Sequence, residues 1–480
     1  MPDTSMTPHA TNGAANGATF ERLNPMTGAV ASTQRAMTPE DARAVCDTAA
    51  AAFPAWPELG PNARRDALLK AADALASRAD DFTRLMLDEE GMTAPWAGFN
   101  VFLAAGMLRE AASLTTHVRG EVIPGDKPGM FAMAVRQPAG VVVGIAPWNA
   151  PVILGVRAVA APLACGNTVV LKASEASPGV HALIVEALNA ALPPGVLNVV
   201  TNAPEDAPRV VEALIAHPAV RRVNFTGSTH VGKIVAKLCA EHLKPSVLEL
   251  GGKAPLVVLD DADVDAAVNA TIFGAFANQG QICMSTEKVV VEEKVADAFV
   301  RRLSERASSL PAGDPAGHVV IGSLIGEDAA ARVESLIGDA VAKGARTTAG
   351  GTRTGTIVAA TVLDKVTPAM RLYREESFGP VVVVVRVKDD DEAVAVANDT
   401  EYGLSSAVFG TDLRRAMSVA KRIQAGICHI NGPTVHDDGQ MPFGGVKASG
   451  WGRFGGTAAV NEFTDVRWIT IEDPKQQYVF

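Results

Sequence analysis

A thiol, a carboxylate and a carboxamide stand in this chain in settings that suit chemistry on a carbonyl carbon: Cys283 in GQICMSTE, Glu249 in VLELGGKAP and Asn149 in IAPWNAP. A thiolate can add to such a carbon, a carboxylate can take a proton from water, and a side-chain N–H can meet a developing oxyanion. Taken singly, each has a plainer reading. Free cysteines are among the most buried residue types, Asn149 just ahead of Pro151 is placed to cap a helix, and Glu249 could be a structural carboxylate bonded to backbone. Enclosure in the apolar run VLEL would raise the Glu249 pKa toward the range of a base working near neutrality. One helix of sequence separates Glu249 from Cys283, so both can reach one cleft. No histidine sits in a motif that makes a Cys–His dyad. His230, His242, His429 and His436 read as core or surface residues, and a cysteine without its imidazole suits oxidation better than peptide cleavage.

The elements that must position these groups show from about residue 140 to 252. Short β-branched runs (GVVVGIAP, NTVVLKAS, GVLNVVTN, VRRVNFTG, SVLELGG) alternate there with longer amphipathic ones such as VILGVRAVAAPLA. Strands separated by single helices imply right-handed βαβ crossovers and a Rossmann-like parallel sheet in an α/β protein, with ligand sites at the carboxyl ends of the strands. Lys172 and Glu175 of LKASEASP stand at such an end, where these folds hold ribose hydroxyls. Gly227 of FTGSTHVGK marks a strand-to-helix turn open to phosphate. The turn is not GxGxxG, and Ile234 breaks the P-loop pattern. Residues 38–118 read as mostly helical, and EVIPGDKPGMFAMAVRQP as two extended runs around a turn. Past 253 a second α/β unit begins, with APLVVLDD, TEKVVVEEKV, GPVVVVVRV and SSAVFG as its strands. NEFTDVRWITIED alternates with period two and is expected to pair with the 120–139 hairpin or with a neighbouring subunit. The expected division is a disordered tail at 1–18, a dinucleotide-binding domain from 19–119 and 140–252, a catalytic domain at 253–445, and an oligomerisation arm from 120–139 and 458–480.

With 480 residues the chain exceeds what one core organises, so two or more domains are expected. A net charge of −10 opposes a nucleic-acid role, which needs a clustered basic footprint. Five widely spaced cysteines without CxxC spacing suit a reducing cytoplasm rather than a disulfide or metal framework. The N-terminus lacks the pattern of a signal peptide. The longest uncharged run, 138–156, is interrupted by Gly140, Gly144, Pro147 and Pro151, so it reads as a strand and a helix and not as a membrane span.

In their order and spacing, PWN, LKASEASP, FTGSTHVG, LELGGKAP, GQICMS, EESFGPV and PFGGVKASGWGR resemble the aldehyde dehydrogenase superfamily over nearly the whole chain from about residue 20. The resemblance implies a dinucleotide-binding domain, a catalytic domain and a bridging arm, assembled into a homodimer or homotetramer. It makes Cys283 the nucleophile, Glu249 the general base and Asn149 the oxyanion holder, working through a thiohemiacetal and a thioester that a Glu-activated water hydrolyses. It carries cofactor roles to Lys172 and Glu175 at the adenine ribose, Gly227 and Ser228 at the pyrophosphate, and Glu376 and Phe378 at the nicotinamide, with Ile145, Pro147, Trp148, Ser174, Val231 and Leu250 lining the site. NAD is the expected cofactor, because Glu175 would repel a 2′-phosphate, with NADP as the alternative given Lys172 nearby. WAGFNVFLAAGMLREAA and HDDGQMPFGGVKASGWGRFGG are most similar to the branch acting on vanillin, salicylaldehyde and benzaldehyde, which implies an aromatic aldehyde substrate. Trp96, Phe99, Ile153, Ile282, Met284 and Phe443 would wall the ring, and Arg157 would meet a ring hydroxyl. The rival readings are a CoA-acylating semialdehyde dehydrogenase, a branch that generally lacks the carboxylate matched by Glu249, and an inactive binding member. The sequence departs from the family at Phe454, where most relatives have an acidic residue, and in TNAPED, which lacks a common glycine pair.

Overall fold

In the computed structural model, residues 17–475 are described. Residues 1–16 of the expected tail and 476–480 of the expected arm lie outside them. In chain order the strands are β1 (Thr19–Leu23), β2 (Val30–Arg35), β3 (Glu121–Pro124), β4 (Phe131–Pro138), β5 (Val141–Ile145), β6 (Thr168–Lys172), β7 (Leu197–Val200), β8 (Val220–Thr226), β9 (Ser246–Glu249), β10 (Ala254–Val258), β11 (Thr286–Glu292), β12 (Arg346–Ala349), β13 (Arg353–Thr354), β14 (Ile357–Val358), β15 (Thr361–Asp364), β16 (Val381–Val387), β17 (Ala407–Phe409), β18 (His429–Ile430), β19 (Gly450–Trp451) and β20 (Thr464–Ile471).

A six-stranded sheet runs β19-β9-β8-β5-β6-β7, parallel from β9 to β7. The chain leaves β5 toward β6 and β7 on one side and returns through β8 and β9 on the other, so a topological switch point lies between β5 and β8, where α/β sheets open a ligand crevice. All five residues of β5 are buried, as expected of a parallel strand covered on both faces. The helix that follows it, Pro151–Ala164, is buried at every position. Gly144 lets that helix approach: a Cβ there would stand 2.9 Å from the Ala158 side chain and 3.0 Å from its carbonyl oxygen.

β19 was not apparent from the sequence pattern. It pairs antiparallel with β9, Gly450 opposite Glu249, and so closes the edge on which Glu249 stands. Gly450 adopts a left-handed φ of 104°, and a Cβ there would meet the Leu248 carbonyl oxygen at 2.0 Å. Two residues, with no alternation of their own, offer nothing for periodicity to detect. The hairpin of β1 and β2 lies between the expected tail and the helical stretch that begins at residue 38, where the pattern assigns no element.

A second, seven-stranded sheet runs β12-β15-β16-β11-β10-β17-β18, parallel except for β12. The helix Val264–Phe276 joins β10 to the segment that carries Cys283, and β11 follows it. β20 pairs with β4 over eight residues in the sheet β20-β4-β3, as its period-two pattern allowed. Among the described residues no helix is long and apolar enough to cross a membrane.

Candidate active site

The helix Val264–Phe276 ends in an unusual connection. Asn278, Gln279 and Gly280 take φ of 48°, 56° and 71° in succession, a left-handed run that costs non-glycine residues roughly 1–2 kcal/mol each. Side-chain amides hold it. Asn278 Nδ2 donates to the Asn149 carbonyl at 2.7 Å, Gln279 Nε2 donates to the Ser323 carbonyl at 3.0 Å, and Gln281 Oε1 accepts from the Ile325 N–H at 3.0 Å. Glycines allow the backbones to meet: a Cβ on Gly280 would lie 2.1 Å from the Gly379 carbonyl oxygen, and one on Gly252 would lie 2.1 Å from the Cys283 carbonyl oxygen. The turn thus sets Cys283, half-buried, at the mouth of the switch-point crevice.

Asn149 does not cap the following helix. Ala150 holds the cap position and makes no side-chain bond, whereas Asn149 Nδ2 donates to the Gln281 carbonyl at 2.8 Å. The amide is aimed at the cysteine loop because that loop's carbonyl offers a buried acceptor, and a carboxamide nitrogen keeps a second hydrogen for another partner.

Glu249 closes the pocket floor at 1% exposure. Neither of its oxygens has a partner in good hydrogen-bonding geometry, although the Cys283 thiol lies close enough to favour the charged form. Burial raises its pKa to about 7, against the weaker pull of Cys283 and Arg157. Burial and the facing Glu249 carboxylate push the Cys283 thiol well above its ordinary range, with the positive charge of Arg157 opposing them. A base poised at neutrality beside a thiol that needs to lose a proton is an arrangement for nucleophilic addition followed by activation of water.

The same pocket is lined by Pro147, Trp148, Thr226, Gly227, Ser228, Gly251, Glu376 and Phe378. Trp148 and Phe378 meet edge to face at 5.8 Å. Ser228 caps the helix Thr229–Glu241, its hydroxyl accepting from Val231 N at 3.3 Å, so the positive end of that helix opens beside the pocket. Gly227 gives the backbone a close approach, since a Cβ there would stand 2.5 Å from the Phe225 ring. Lys172 and Glu175 pair at the end of β6, and Asn202 Nδ2 donates to Glu175 Oε1 at 3.0 Å. Glu376, pushed up to about 8 by burial and the nearby Glu287 charge, accepts from Gly252 N at 2.8 Å. Polar side chains at the end of β6, a helix N-terminus and an aromatic pair beside the pocket are features that suit a dinucleotide. Ile145, Ser174 and Leu250 are buried around these groups, and Val231 is exposed on the helix's first turn.

On the other side of the cysteine, Ile153, Ile282, Met284, Phe443 and Phe454 belong to one hydrophobic cluster with Trp96 and Cys283 packed on it. Trp96 Nε1 donates to the Asn149 carbonyl at 3.4 Å. Phe99 stands outside the cluster, 43% exposed, its ring tilted against that of Trp96 at 5.5 Å. Arg157 already has a partner in the chain: it is ion-paired with Asp437, whose side chain is 11% exposed, and lies over the Phe443 ring at 4.1 Å. Asp437 had no signal in the sequence, where it is one acidic residue of the loop stretch HDDGQ. The substitution at Phe454 becomes intelligible, since its ring stands 5.9 Å from the same guanidinium.

A thiol, a carboxylate, a carboxamide and a switch-point crevice meet on this scaffold, and the Aldehyde dehydrogenase family model matches residues 12–469. The chain belongs to the aldehyde dehydrogenase family. It is 60% identical to a vanillin dehydrogenase of Pseudomonas fluorescens over 97% of each chain, and 49% identical to a salicylaldehyde dehydrogenase of Pseudomonas putida over 96% of each. Its fold is similar to the crystal structure of a salicylaldehyde dehydrogenase from Pseudomonas putida G7 complexed with salicylaldehyde, with a TM-score of 0.95, 49% identity and 96% of each chain covered.

Proposed function

We propose that the protein oxidises an aromatic aldehyde to the carboxylic acid with NAD, preferring a benzaldehyde that bears hydroxyl or methoxy groups, of which vanillin is the type. The observation that carries the reading is the convergence of Cys283, Glu249 and Asn149 on one pocket that also fits a dinucleotide. Cys283 adds to the aldehyde carbon as the thiolate, its proton released to solvent. The oxyanion is met by the Asn149 amide and the Cys283 backbone N–H. Glu376, Phe378 and Trp148 would hold the nicotinamide, which would supply the acceptor for the substrate's hydride. Glu249, ionised, draws a proton from water as that water attacks the thioester carbon, and the acid leaves the sulfur as thiolate. The aromatic preference is supported by the apolar cluster beside Cys283 and by the relatives' substrates. Steady-state kcat/KM for vanillin should exceed that for propanal; a preference for propanal would refute it.

NAD is favoured because Glu175, paired with Lys172 and bonded by Asn202, would repel a 2′-phosphate at an adenine ribose it held. A homo-oligomer is supported by the three-stranded sheet, whose edge strands β3 and β20 have no further strand partner among the described residues and which exposes Val122, Phe131, Val466, Trp468 and Ile471 to solvent. A second copy of this chain is the proposed cover, and light scattering gives the stoichiometry; a monomer would refute it. Five free cysteines support a reducing, cytoplasmic setting.

A further inference from the structure

A buried ion pair outside the reacting groups ties the three segments of the active site together. Glu287 is the second residue of β11, four positions past Cys283, and Lys253 stands four positions past Glu249. Both side chains are sequestered, 0% exposed for Lys253 and 4% for Glu287, with Nζ 2.5 Å from Oε2. The Glu287 carboxylate has two further donors. Ser377 N reaches both of its oxygens at 2.8 Å, and Phe378 N reaches Oε1 at 3.1 Å. It therefore grips the backbone of the segment that presents Glu376 to the pocket and Phe378 to Trp148.

That segment needs a grip. Phe378 has φ of 50°, a region that an aromatic residue leaves unless something holds it. Hydrogen bonds from amides to a buried carboxylate are charge-assisted and stronger than those between neutral groups. The carbonyl oxygen of Gly379, next along, would stand 2.1 Å from a Cβ on Gly280, so this segment and the cysteine loop meet backbone to backbone. The cysteine loop, the loop after Glu249 and the aromatic wall thus share one anchor.

We propose that Glu287, with Lys253 as its counter-ion, is a positioning residue for the cofactor: it holds Glu376 to Phe378 in the conformation that receives the nicotinamide end of the dinucleotide. The inference rests on the dehydrogenase reading above. Glu287→Gln keeps the volume but removes the charge that accepts from Ser377 and Phe378, and Lys253→Met/Glu287→Gln removes the anchor without stranding a lysine. Both variants are expected to raise the Kd for NAD by about tenfold to a hundredfold, the loss of one to two charge-assisted bonds, measured by calorimetric titration without aldehyde. The KM for aldehyde and the cofactor-free hydrolysis of 4-nitrophenyl acetate, which reports on Cys283 and Asn149, should change far less. Glu287→Asp should recover part of the NAD affinity. An unchanged Kd in the folded double variant would overturn the proposal, as would equal losses of NAD affinity and esterase turnover in both variants. A wild type that binds NAD but oxidises no aldehyde would instead overturn the reaction assigned above, leaving the comparison of Kd values intact.

Discussion

Replacing Glu249 by glutamine separates the two halves of the proposed reaction. The wild-type carboxyl rises from the ordinary 4.5 to about 7 because it is buried, a difference of roughly 3 kcal/mol between its protonation states. A base of that pKa is half ionised at pH 7 and roughly ninetyfold less ionised at pH 5 than at pH 8. Acid release should follow that curve. In Glu249→Gln, hydrolysis of the thioester should slow by about 10² to 10⁴, the usual contribution of a general base. The first turnover should still reduce cofactor, so rapid mixing should show a burst of NADH near one per active site, with an acyl adduct on Cys283 by intact mass. Stability gives an independent check. A carboxyl with a raised folded-state pKa is neutral in both states below pH 4.5, and the fold loses about 3 kcal/mol as pH climbs from 4.5 to 7. The neutral variant escapes that loss, so its unfolding temperature should exceed wild type at pH 8 and converge with it near pH 4.5. Steady-state turnover within tenfold of wild type, on an unshifted pH profile, would refute the role assigned to this residue.

Asn149→Ala should lower kcat by about 10² to 10³, the cost of one oxyanion donor, with little change in NAD Kd by titration. Gly252→Ala should fold by circular dichroism yet lose most oxidation of vanillin, because its Cβ would stand 2.1 Å from the Cys283 carbonyl oxygen and must displace the cysteine loop. Arg157→Leu alone should cost about 3–5 kcal/mol in denaturant melts by leaving Asp437, only 11% exposed, as an unpaired charge. Arg157→Leu/Asp437→Leu should recover most of that loss, and a double variant no more stable than the single one would show that the pair is not what holds this wall.

Much of this molecule follows from local pattern. β-branched runs separated by single helices are enough to dictate the parallel sheet around β5, because a buried strand and an amphipathic helix each carry a distinct period. The same pattern, with PWN, LELGG and GQICMS at element ends, brought Asn149, Glu249 and Cys283 to one crevice, and the alternation in 464–471 suited the pairing that β20 makes with β4. What pattern could not carry were decisions made by residues far apart in the chain. The carboxamide of Asn149 turned from its helix to the Gln281 carbonyl, Gly450 closed the edge beside Glu249, and Asp437 claimed the Arg157 guanidinium. Glu287 looks like any charge at a strand start until Lys253 and two backbone amides converge on it. Periodicity records which face of an element is buried. Which polar groups find each other inside is settled only when the elements pack, because burial then makes an unpartnered donor or charge too costly to leave unpaired.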